Sequence, residues 1–272
     1  MADNIAALEL IFMRPEFCLT EEGRKVLNGY SGFGGLKCIL NPAEKDTDIE
    51  RWTTDRELFP QVRLLHELLR EYSKDGKEYK AYVQSLKNSA LTAFYTPEPV
   101  VTAMQESLQL PGIRPGRFLD PSAGTGMFIS GLKDVPEIHC FEKDMLTGKI
   151  LSSLYPESRV TIDGFQSIQP YYNNYFDMVS SNIPFGNTRV YDRDFDRSED
   201  VVRKSSLATV HNYFFLKGMD TLHEGGILAY ITTSGVMDSP QNRPVREWLV
   251  NHANRKHSIN SPFHSKNVIL LL

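Results

Sequence analysis

The sequence predicts an α/β chain, a doubly wound and mostly parallel sheet preceded by a helical region over residues 1–94. Three observations carry that prediction. Up to about residue 94 the apolar positions recur at three and four, the period of a half-buried helix. From Thr96 onward, short strand patterns alternate with helical ones, the pattern of a parallel sheet with crossover helices. The first of those strands runs into a glycine pair, the turn that doubly wound sheets place at their ligand-binding edge.

Composition narrows the classes. At 272 residues, with 41% hydrophobic and 24% charged residues, the chain can bury a core, and wholesale disorder or a fibrous repeat is excluded. No run approaches the roughly 18 to 20 apolar residues of a membrane span. Met1 to Phe17 carries acids rather than the basic-then-apolar layout of a signal peptide, so a cytoplasmic protein without membrane contact is expected. Cys18, Cys38 and Cys140 have no ligand or framework spacing and read as free thiols, and the seven histidines are scattered, so no metal is expected. The net charge of -4 gives no general attraction to nucleic acid; any such partner must meet local basic surface.

Taken in order, the first clear helix starts at Thr20, a threonine cap followed by Glu21 and Glu22 at the positive end of the helix dipole, and it ends at Gly29. Tyr30-Ser-Gly-Phe-Gly-Gly-Leu36 is dense enough in glycine to approach a ligand, or equally to make a tight turn with Phe33 in the core. Within Thr54 to Tyr72, the residues Leu58, Val62, Leu65, Leu68, Leu69 and Tyr72 form one apolar stripe. Thr96-Pro97-Glu98 opens a helix through Val100, Val101, Met104 and Leu108. Strands are expected at 117–119, 138–142, 159–162, 176–180 and 227–232, with a helix beginning near Met127. The mixed-charge run Tyr191 to Asp200 reads as a solvated loop. Because it follows the fourth strand directly, ordering of Tyr191 to Lys204 over a nucleic acid, with Arg189, Arg193, Arg197 and Arg203 on phosphates, is the second reading.

Four strand ends carry chemistry. Asp120-Pro-Ser-Ala-Gly-Thr-Gly126 allows a sharp turn and close backbone approach at Gly124 and Gly126. It lacks the third glycine of a dinucleotide fingerprint and the Gly-Lys-Ser/Thr of a triphosphate loop. About twenty residues on, Glu142 can accept both hydroxyls of a ribose. Asp163-Gly-Phe165 offers an acceptor and a ring that could stack on adenine or pack in the core. In Asn182-Ile-Pro-Phe185, the Asn182 amide oxygen and the Ile183 carbonyl, stiffened by Pro184, can accept both hydrogens of one primary amine while Phe185 stacks on the ring that bears it.

These runs, in this order, resemble the adenine-specific (N6) DNA methyltransferases that use S-adenosylmethionine. Ala93 to Val100 is similar to the segment that in this class closes over the methionine part of the cofactor. Residues Tyr30 to Leu36 with Asn88 to Tyr95 are similar to methylase and methylase-helicase proteins of phages and conjugative elements. The resemblance implies a Rossmann-like methyltransferase sheet over residues 95–272, with cofactor contacts from Tyr95, Thr96, Asp120, Ser122, Gly124, Glu142, Asp163 and Phe165. It implies catalysis by Asn182, Ile183, Pro184 and Phe185, where Ile183 replaces the commoner proline and Phe185 the commoner tyrosine. His211 to Lys217 and Gly225 to Gly235 match the helix and fifth strand that complete the sheet. The match ends at about Asn251. Val268 to Leu272 reads as a last strand or as the cut end of a longer frame. A chain lacking its target-recognition region, meeting DNA through that region or a partner protein, is the expectation. Methyl transfer to RNA bases or protein glutamine, or a cofactor-binding module without independent activity, are the alternatives.

Overall fold

The computed structural model describes residues 1–92, 96, 98–109, 114–132, 134–253 and 267–271, with only the backbone of 91–92, 107–109 and 267–271. The chain divides into two compact units. One comprises Met1–Pro97, Gly124–Gly126 and Glu142–Ile162; the other comprises Glu98–Ala123, Met127–Phe141 and Asp163–Leu272. The helical part thus takes in more than a cut near residue 94 would give it.

The first unit is built on helices α1 (Ala2–Met13), α2 (Glu21–Asn28), α3 (Phe59–Glu71) and α4 (Gly76–Thr92). Thr20 caps α2 as expected, its hydroxyl accepting from the Gly23 N–H at 3.0 Å. In α3 the apolar stripe faces inward: Val62, Leu65, Leu68 and Leu69 are buried. Phe33 is buried too, and its loop is pinned from inside, with the Phe33 N–H donating to Ser89 Oγ at 3.1 Å and the Asn4 amide to the Gly32 carbonyl. The glycine-rich segment Tyr30–Leu36 is therefore a tight turn over a core aromatic.

A later helix, Met145–Leu154, closes the same core and is the reason the unit reaches beyond residue 97. Leu146, Ile150 and Leu154 pack into the cluster formed by Leu8, Leu27, Leu65 and Leu86. Asp144 caps this helix, accepting from the Thr147 N–H at 2.8 Å, and the Ser85 hydroxyl donates to the same carboxylate at 2.6 Å. A short strand, Arg159–Thr161, follows.

The second unit opens with α5 (Glu98–Gln109), with Val101 and Met104 buried. Five strands of its sheet lie in this unit, β1 (Arg117–Asp120), β2 (Glu137–Phe141), β3 (Phe176–Asn182), β4 (Leu222–Ile231) and β5 (Asn267–Leu271). Their order is β2-β1-β3-β4-β5 and every neighbouring pair is parallel. The order reverses between β1 and β3, so the crevice beyond Asp120 and Asn182 is the place where such a sheet takes a ligand. Helix α6 (Val210–Thr221) packs on the sheet, with Tyr213, Phe215 and Leu216 fully buried.

Three local expectations are corrected. Gly124 to Gly131 is a run of turns rather than a helix from Met127, because glycines at 124, 126 and 131 bracket too few residues to propagate one. The run from Tyr191 holds two short helices, α7 (Arg193–Arg197) and α8 (Val201–Ser206), capped by the Asp192 and Asp200 carboxylates. Strand β4 begins at Leu222, five residues early, with Gly225 at φ 85° where its register with β3 shifts.

Candidate functional site

Within the first unit lie Gly124, Gly126 and Glu142. Gly124 and Gly126 have φ of 56° and 90°, the positive-φ conformation that gives the sharp turn expected there. At Gly126 a β-carbon would stand 2.4 Å from the Tyr155 ring, so the position admits glycine alone on two counts. The Glu142 carboxylate accepts from the Gly124 N–H at 2.8 Å and from the Asp144 N–H at 2.7 Å. Each oxygen keeps a second lone pair for another donor. Burial pushes this carboxyl up to about 7, a rise that the backbone N–H groups of Asp144, Gly124 and Lys143 only partly offset, and the Asp144 charge adds to it.

Within the second unit, β1 ends at Asp120, whose fully buried carboxylate accepts from the Ser122 N–H at 3.1 Å and so folds the chain into its turn. The Ser181 hydroxyl donates to the Ser122 carbonyl at 3.3 Å, tying that turn to the end of β3. Asp163 is exposed and its carboxylate accepts from the Gly164 N–H at 2.7 Å. Phe165 departs from expectation: it is 1% exposed, with its ring against Phe141, Tyr213 and Phe214. A ring at a strand end has the same sequence signal whether it stacks on a ligand or fills the core, and here it fills the core. Tyr95 lies outside the described residues, whereas Thr96 is described and half-buried.

The run Asn182 to Phe185 follows at the end of β3. Asn182 is the last residue of the strand and half-buried. The Ile183 N–H donates to the Ile231 carbonyl at 3.1 Å while its side chain is buried, so the backbone at Ile183 is fixed from both sides. Pro184 follows, and Phe185 stands 54% exposed. Next, Gly186 at φ 116° turns the chain away.

Beyond it the chain is anchored through a buried ion pair. The Asp192 carboxylate sits 3.2 Å from Lys217 Nζ and accepts from the Tyr213 hydroxyl at 2.7 Å and the Asp194 N–H at 2.9 Å. Although burial alone would raise it, these donors hold Asp192 below the usual carboxylate range. Arg203 is engaged as well, paired with Asp220 and lying over the Phe195 and Trp248 rings. It is thus committed to the fold rather than to a phosphate. Asp192 and Lys217 were missed in the sequence because a charge run signals solvent and a single lysine in an apolar helix signals nothing.

Among the described residues no group of three or more His, Cys, Asp or Glu gathers as metal ligands, and no helix is long and apolar enough to cross a membrane. All three cysteines are free and buried.

The sheet order and the turn at Asp120 define a class, the Rossmann-like doubly wound α/β fold. Comparison with known proteins agrees. The family model of the Eco57I restriction-modification methylase matches residues 139–268, just under half of the chain. Defense against restriction protein B of Escherichia phage P1 is 29% identical over 163 residues, covering 58% of this chain and 7% of that protein. Type II methyltransferase M.XamI of Xanthomonas campestris pv. amaranthicola is 26% identical over 173 residues, covering 58% of this chain and 33% of its own. The chain therefore spans a third or less of the length of these curated relatives. The crystal structure of the type I restriction-modification system methyltransferase subunit from Streptococcus thermophilus shares the fold, with a TM-score of 0.50 at 15% identity over 92% of this chain and 72% of that one. The resemblance to S-adenosylmethionine-dependent DNA methyltransferases is borne out, and it extends past Asn251, where it was expected to stop. The family match reaches 268, and Asn267–Leu271 pairs with β4 as a further parallel strand.

Proposed function

We propose that the chain transfers the methyl group of S-adenosylmethionine to the exocyclic N6 amine of adenine in DNA. The observation that carries this reading is the end of β3: a half-buried Asn182, a backbone clamped at Ile183, and an open Phe185 ring at the carboxyl edge beside the order reversal of the sheet. Its acceptors suit an amine and its ring suits the heterocycle bearing that amine, in the manner of enzymes that swing a base out of the stack.

The chain's own groups fit the cofactor. Glu142 keeps lone pairs for two ribose hydroxyls, and Gly124 gives the backbone its close approach. Asp120 and Ser122 shape the turn, with Asp163 offering a solvent-facing acceptor. When bound, the cofactor supplies a methyl on a sulfonium: a C–N bond forms as the C–S bond breaks, sulfur keeps the electron pair and the amine proton passes to water. Asn182 and the Ile183 carbonyl would hold the two amine hydrogens so that the nitrogen lone pair points at the incoming carbon. That is catalysis by positioning and needs no strong base. On this reading the reaction takes place in the cytoplasm, and target selection falls to a further DNA-reading part or a partner protein, since the chain carries a net charge of -4.

Separating the two roles tests the reading. Asn182→Ala should lower turnover at least a hundredfold and leave S-adenosylmethionine affinity within twofold, as calorimetry and a methyl-transfer assay would measure. Glu142→Ala should instead weaken cofactor binding by about 1–3 kcal/mol, roughly 5- to 150-fold. Equal loss of both functions in either variant would contradict the assignment.

A further inference from the structure

The first turn of α6 holds polar side chains that the reading above leaves unused. Its residues run Thr209 at the cap, then Val210, His211 and Asn212, and no side chain caps the helix. His211 is 8% exposed, and neither ring nitrogen has a hydrogen-bond partner among the described residues. Asn212, 7% exposed, donates from Nδ2 to Asn242 Oδ1 at 2.9 Å. Asn242 in turn donates to the Gly235 carbonyl at 2.8 Å, so the amide of Asn212 is fixed with Oδ1 as its unpaired atom. Thr232, 7% exposed, likewise has an unpaired hydroxyl. Buried polar groups are rarely left this way, and four such atoms on one helix and at the end of one strand ask for a ligand.

Topology says where they stand. Helix α6 runs into the amino end of β4, so its own amino end lies at the carboxyl edge of the sheet, the edge at which Asn182 ends β3. Helical side chains tilt back toward the amino end, which aims His211 and Asn212 over that edge. Thr232 is the first residue after β4, and because Asn182 pairs with Ile231, it stands level with Ile183.

We propose that His211, Asn212 and Thr232 form the wall of the base site that reads the ring edge of the nucleobase, while Asn182 and Ile183 hold its amine. This rests on the reading of the Asn182 run as a base site. The donor set selects the ligand. Burial pushes the imidazole below its ordinary value, so the ring is neutral, with one donor and one acceptor nitrogen. Asn212 Oδ1 only accepts, and the Thr232 hydroxyl does both. A purine whose amine is already held keeps ring-nitrogen acceptors for the imidazole N–H and the Thr232 hydroxyl, with Asn212 Oδ1 left to a bridging water. A phosphate, which carries full charge, finds no cation in that set.

The test follows the ring signals of His211 and Phe185 by NMR in the full chain, first with S-adenosylhomocysteine and then with added oligodeoxyadenylate or oligodeoxythymidylate. Both residues should shift with the adenylate, and His211 should stay unmoved by S-adenosylhomocysteine alone and by the thymidylate. His211→Phe should lower adenylate affinity about tenfold without changing S-adenosylhomocysteine affinity, and His211→Gln, which keeps a donor and an acceptor, should restore most of it. A shift of Phe185 without His211 would overturn the inference and leave the base site standing. A His211 shift with S-adenosylhomocysteine alone would assign the wall to the cofactor and overturn it equally. If the adenylate moves neither residue, the base-site reading and the inference fall together.

Discussion

Glu142 shows how a residue's surroundings set its use. Its carboxyl, raised to about 7 by burial, is protonated through the weakly acid range, whereas the two ribose hydroxyls of the proposed cofactor would favour the ionised form. Affinity for S-adenosylmethionine should therefore rise as pH climbs through 7, roughly tenfold between about pH 6 and pH 8, and Glu142→Gln should flatten that rise. Stability moves the other way. The folded state keeps a proton that the unfolded chain has already released between the ordinary carboxylate value and about 7, so raising pH across that window weakens the fold. Thermal melts of Glu142→Gln should show a shallower pH dependence than those of the parent chain. Gly126→Ala is expected to cost about 1–3 kcal/mol by chemical denaturation, since it combines φ 90° with a clash on Tyr155. The turn at Gly124 and Gly126 was legible because positive φ leaves a mark in sequence, and the structure puts Glu142 against that turn through the Gly124 N–H. Phe165 was not, because an aromatic residue after a strand reads the same in a core and in a pocket.

At the scale of elements, the segment after Phe185 is where sequence reasoning and structure part. A run of alternating charges reads as solvated, yet Phe195 is buried and Asp192 and Asp200 each cap a helix, with the Trp248 indole donating to Asp200 at 2.7 Å. Charge pattern reports net solvation and is blind to a buried pair such as Asp192 and Lys217. Asp192→Ala should destabilise the second unit by about 3–5 kcal/mol, since it strands a buried ammonium, and Asp192→Ala with Lys217→Met should recover much of that loss in denaturant titrations. The caps and stripes of the helical region were legible, because Thr20 and the spacing of α3 are local signals. That Met145–Leu154 belongs to the helical unit was not, because that membership depends on Ser85 and Leu86 meeting Asp144 and Leu146 from 58 or more positions away.

For the whole molecule, the parallel sheet and its order reversal were expected from the alternation of patterns, and the inclusion of Gly124–Gly126 and Glu142–Ile162 in the helical unit was not, because a core drawn from distant segments has no sequence period. With a net charge of -4 the chain has no general attraction to a duplex, and in the loop after β3 Arg203 is held by Asp220. Its own affinity for duplex DNA should be weak, with a shallow salt dependence in fluorescence titrations, and a steep one would assign it a DNA-reading surface of its own. The chemistry at Asn182 is decided by mass spectrometry of nucleosides from DNA incubated with the chain and S-adenosylmethionine. N6-methyldeoxyadenosine from the parent chain, falling at least a hundredfold with Asn182→Ala, is the expected result. Methylcytosine as the product, methylation of RNA or glutamine in place of DNA, or an undiminished yield from Asn182→Ala would contradict it.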